Sequence, residues 1–152
     1  MLPGSFKAVV PVLFLCALGS STASAQGAFA GSWRVVDSVR PDWIEPTSPE
    51  PVAPLKQGDM VTFKADAVIA DSYLGCRDAT YEVLTVAPEG LFQGGVVDGA
   101  QLASARDRFG LSAATTTLRV DCDQGVFDYH QGGKGLVIQF DNMVYVLERA
   151  GR

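Results

Sequence analysis

The sequence predicts an all-β domain: an antiparallel up-and-down barrel, or a closely related sandwich, of about eight strands with one short helix. Three observations predict it. Eight runs rich in valine, threonine and aromatic residues alternate apolar with polar positions. Four of them crowd into the last third, separated only by short clusters of Gly, Asp and Asn, the spacing of tight hairpins. A single stretch carries both a helix start and a helix stop signal. Closing so many antiparallel strands into a barrel removes the edges they would otherwise expose.

Taken in order, residues 1–25 are expected to be a cleaved signal peptide. Lys7 precedes the apolar run 8–18, and Ala23-Ser24-Ala25 supplies a small-residue cut that leaves Gln26 first. Such a run reaches only about 17 Å as a helix, short of a hydrocarbon core of about 30 Å, so no membrane anchor is expected. Leu15, before Cys16, is too large for lipoprotein processing. Residues 26–152 then form one domain, large enough to bury a core.

The first strand is predicted at 32–40, with Trp33, Val35 and Val39 on one side, and Pro41 stops it. Residues 41–57 hold five prolines, which cannot donate to a ladder, so this is a surface loop. Trp43 and Ile44 are expected to tuck that loop against the domain. Strands follow at 59–64, 67–70 and 81–87, while 72–79, with Cys76, reads as irregular. The glycine-rich stretch 90–99 places Leu91 and Phe92 on a mobile backbone. Asp98 is a candidate N-cap for a helix to Phe109, with Leu102, Ala105 and Phe109 on one face and Gly110 at the left-handed C-terminal position. Strands at 115–122, 126–130, 136–140 and 143–148 complete the meander, pointing Leu118, Val120 and Cys122 inward.

Charge narrows the function. The chain carries 12 basic and 17 acidic residues, a net −5, which becomes −6 once Lys7 is removed. This excludes nucleic acid and anionic membrane surfaces as partners, both of which need basic patches. A basic protein partner would suit it. Cys76 and Cys122 are the pair left after cleavage, and in an exported chain they read as one disulfide. Composition, rich in Ala, Gly, Val and Asp and with Arg outnumbering Lys, is that of a bacterial chain, so the location implied is periplasmic or secreted.

Catalytic chemistry finds little support. His130 is the only histidine; Asp128 shares its strand face, and Ser72, Ser104 and Ser112 are the serines that could approach it. No G-x-S-x-G elbow is present. Asp121, Asp123 and Asp128 begin like a calcium loop, but no bidentate glutamate follows, and one histidine gives no zinc set. No metal or cofactor is therefore expected. Binding is carried instead by the bulky apolar residues of the two loops, Trp43 and Ile44 with Leu91 and Phe92.

Gly31-Ser32-Trp33 opens the domain and Val144–Arg149 closes it. This resembles the calycin signature, in which an arginine after the last strand lies across a tryptophan of the first and plugs one end of the barrel. The resemblance implies that role for Trp33 and Arg149, and implies a lipocalin-like barrel. Small secreted bacterial metalloprotease inhibitors are similar in layout, although their disulfide lies in the N-terminal half. The function expected is non-catalytic binding outside the cytoplasm by a monomer, with an extracytoplasmic hydrolase such as a protease or lysozyme as partner. The alternatives are a carrier of a small apolar ligand, or an envelope enzyme using His130.

Overall fold

Alternation turns one row of each strand inward, and those rows meet. The computed structural model describes residues 27–52, 54–96 and 98–151, and the signal-peptide reading of 1–25 lies outside them. The strands are β1 (Gly31–Val39), β2 (Met60–Phe63), β3 (Ala67–Ala70), β4 (Cys76–Arg77), β5 (Thr80–Val86), β6 (Thr115–Cys122), β7 (Gly125–Gly132), β8 (Gly135–Phe140) and β9 (Met143–Arg149). They form one antiparallel sheet in the order β4-β3-β2-β1-β9-β8-β7-β6-β5.

The two ends of that order are consecutive in the chain. β4 pairs with β3 and β5 pairs with β6, with only Asp78 and Ala79 between them. Asp78 takes a left-handed φ of 53°, which bends the run and passes it from one neighbour to the other. The ladder is interrupted at this bend, so the sheet is rolled without being hydrogen-bonded all the way round. Side chains bridge the bend. The Cys76–Cys122 disulfide links β4 to β6, and Arg77 forks onto Asp123, its Nε and Nη2 donating at 3.1 and 3.0 Å. On the chain-entropy argument a cross-link of this span stabilises the fold by about 4 kcal/mol.

Inside the roll, Trp33, Val35, Val61, Phe63, Leu118, Tyr129, Ile138, Tyr145 and Leu147 pack as one buried cluster. Phe63 of β2 meets Tyr129 of β7 edge-on at 4.9 Å between ring centres, so facing walls touch across the middle. The Pro-rich loop seals one end. Its Leu55 is buried and donates its N–H to the Tyr145 hydroxyl at 3.3 Å, while Asn142 donates to the Pro49 carbonyl.

The helix α1 (Gly99–Phe109) begins where Asp98 accepts the N–H groups of Ala100 and Gln101, both at 2.9 Å, and ends at Gly110 with φ 64°. It lies on the outer face of the sheet, where Ala105 and Phe109 pack with Val137, Val144 and Val146. The helix end comes down on the β7–β8 turn so closely that a Cβ on Gly132 would stand 2.5 Å from the Phe109 carbonyl. Two expectations are corrected here. Stretch 72–79 is not wholly irregular, since it contains β4, and a 3-10 segment, Pro88–Gly94, broken by non-helical backbone at Leu91, Phe92 and Gln93, occupies the start of the stretch expected to be a mobile loop. Pro88 presets its first turn, and the glycines beyond it form no strand.

Candidate binding surfaces

Among the described residues, the buried polar side chains include Thr115, Thr117, Asp128 and His130. His130 of β7 is fully buried on the outer face of the sheet, roofed by the 3-10 segment. Its Nε2 accepts the Phe92 N–H at 3.0 Å, so Nδ1 carries the proton and donates to the Thr117 hydroxyl at 2.8 Å. Burial drives its pKa down to about 4; the Asp128 carboxylate acts against that shift and the Arg119 guanidinium adds to it. Asp128 does not orient the ring, because both its oxygens are taken by Arg119 at 2.8 Å. Both ring nitrogens are thus hydrogen-bonded and the ring has no exposed edge. Neither Ser72, Ser104 nor Ser112 is its hydrogen-bond partner.

The expected binding residues divide. Leu91 and Phe92 are 1% and 5% exposed, so they present no surface. Phe92 and Gln93 take left-handed φ values of 53° and 56°, a costly backbone for residues with a Cβ. The Phe92 ring offsets that cost by packing against Trp43, His130 and Phe109 at 5.4, 5.3 and 6.3 Å. Trp43 and Ile44 are half-buried, and the Trp43 indole donates to the Gln139 side chain at 2.9 Å. The Pro-rich loop is thus tucked in, and Trp43 keeps one side open.

That open side belongs to a groove. A cleft of about 590 Å³ lies between the end of α1 and the outer face of β1 and β9, floored by Val36, Phe109 and Val146. A smaller one of about 180 Å³, lined by Trp43, Val39 and Ser104, shares Arg108 and Phe109 with it, so the two are continuous along one flank of α1. A β-bulge shapes the wall: the β1–β9 register shifts between Val35 and Asp37, leaving Val36 as the extra residue beside Asp37. Asp37, Asp107 and Glu148 stand on the rim with Arg108 and Lys134. No ion pair among the described residues involves those three carboxylates.

Trp33 and Arg149 do meet. They are register partners in β1 and β9, with the guanidinium carbon 4.4 Å from the indole centre. Arg149 also donates to the Ala28 and Ala30 carbonyls, and the Trp33 indole donates to Phe29. The N-terminal hook is thereby stitched over this end of the roll. Beside it lies an apolar hollow of about 370 Å³ lined by Phe29, Phe63, Tyr81 and Leu118, with Lys64 at its edge.

The comparisons are negative. No protein family, characterised protein or solved structure matches the chain. The groove residues were missed in the sequence because they come from β1, β9, α1 and the β7–β8 turn. The only local trace is Val35-Val36, two adjacent valines breaking a period-two pattern where the bulge sits.

Proposed function

We propose that this is an exported, non-catalytic binding protein that engages a protein partner through the groove along α1. The disulfide points to a compartment outside the reducing cytoplasm, and the periplasm or the extracellular space is the location this reading adopts. The observation that carries it is the groove itself: an apolar floor inside a rim where three carboxylates have no ion-pair partner among the described residues. Such a rim favours a basic segment of another protein, with the floor supplying apolar burial. An extracytoplasmic hydrolase, a protease or a basic lysozyme, is the partner class proposed. The stacking of Arg149 on Trp33 supports kinship with the calycins.

Titrating the mature protein against a metalloprotease, a serine protease and a basic lysozyme tests this reading. Turnover of one of them should fall to zero at a stoichiometric ratio. Glu148→Lys or Asp37→Lys should weaken inhibition about fivefold, roughly 1 kcal/mol, with the melting temperature unchanged. If none is inhibited, and His130→Ala instead abolishes a hydrolytic activity of the protein while it stays folded, the reading fails.

A further inference from the structure

The 3-10 segment is held over β7 in a conformation that its own residues resist. Phe92, Gln93 and Gly94 take successive left-handed φ values of 53°, 56° and 73°, and of these only the last is a glycine. A Cβ makes that backbone unfavourable at the first two. The segment is tied to β7 by the Phe92 N–H, which donates to His130 Nε2 at 3.0 Å, and by the Gln93 side chain, which donates to the Val126 carbonyl at 3.1 Å. The first tie depends on a single lone pair. Nδ1 already donates to the Thr117 hydroxyl, so an added proton must go to Nε2. There it removes the acceptor of the Phe92 N–H and sets two buried donors against each other. The Asp128 carboxylate gives no relief, because Arg119 holds both its oxygens.

We propose that His130 is the latch of a proton-operated lid: protonation at Nε2 breaks the bond to Phe92, the left-handed pair relaxes, and the 3-10 segment lifts from β7. Lifting uncovers Leu91 and Phe92, both buried when the lid is closed. The proton enters from solvent during a transient opening and then keeps the lid from reclosing. The charged groups acting on the ring are Asp128 of β7 and Arg119 of β6, in opposite senses, and Glu82 of β5 acts on Arg119 in turn. β8 brings no charged residue to the ring, and Glu89 of the 3-10 segment is exposed. The movement reaches the groove along α1. Phe92 packs on Trp43 and Phe109, which line it, so lifting withdraws their backing. Release of a partner on acidification is the consequence there, and it rests on the binding reading above; the lid itself does not.

Amide hydrogen exchange at Phe92 in the mature protein, corrected for the intrinsic pH dependence of exchange, reads the lid directly and needs no partner. With the lid open the ring titrates near 6.5, and with it closed at about 4. The open fraction should therefore grow about tenfold per pH unit below 6.5, and about 300-fold by pH 4. Urea below the unfolding transition should leave exchange at Phe92 unchanged while it speeds the ladder amides of β6 and β7, which separates lid opening from global unfolding. Carboxylates titrate over the lower part of this range, so His130→Gln is the control: its side chain takes no proton, and its open fraction should stay flat with pH. A flat response at Phe92 in the native protein would overturn the proposal. So would an equally steep slope in His130→Gln, or exchange at Phe92 that follows urea in step with the ladder. Should His130→Gln fail to fold, the pH slope and the urea response of the native protein decide alone.

Discussion

At His130 the imidazole is enclosed by Thr117, Phe92 and the sheet beneath, and that enclosure has a consequence for stability. The folded pKa, about 4, lies below the 6.5 of the free side chain. Between those values the unfolded chain binds the extra proton and the folded chain does not. His130 therefore favours folding fully above pH 6.5, and its contribution falls as pH drops towards 4, by about 3 kcal/mol in all. Denaturant midpoints measured from pH 7.5 to 4 should decline over this window in the native protein and decline less in His130→Gln. An equal decline in both would show that the ring is not held neutral. The sequence supplied the residue and its strand. It could not supply the roof, because Phe92 reaches His130 only through two left-handed residues that carry no glycine signal.

Among the elements, α1 was the most legible, since its stop and start are written in local chemistry. Asp98 caps and Gly110 terminates, as those residue types at those positions predict. Asp98→Ala removes the acceptor for two N–H groups and should cost about 1 kcal/mol in unfolding free energy, whereas Asp98→Ser should restore most of it. No difference between the two would mean that packing of Phe109 and Ala105 alone sets the helix start. The eight anticipated strands are all present, and the ninth, β4, escaped notice because two residues cannot display a period. Its existence depends on Asp78, whose positive φ lets one run serve two neighbours. The bulge at Val36 was illegible for a similar reason: it is defined by the partner strand, not by β1 itself.

For the molecule as a whole, the account is of a rolled sheet filled with its own side chains, fastened by Cys76–Cys122 and by Arg149 over Trp33. The interior is where Phe63 and Tyr129 touch, and the histidine is sealed. Cysteine count and terminal motifs made the fastening legible, because each is a property of residue identity. The groove was not, since it arises only when four separate elements are brought together. The most direct measurement of this claim is native mass spectrometry of the protein recovered from its own host. The account predicts the mature chain with its disulfide intact and free of any small molecule, together with a protein complex that Glu148→Lys disperses. A stoichiometric apolar small molecule retained by the monomer, released only on unfolding, would contradict it.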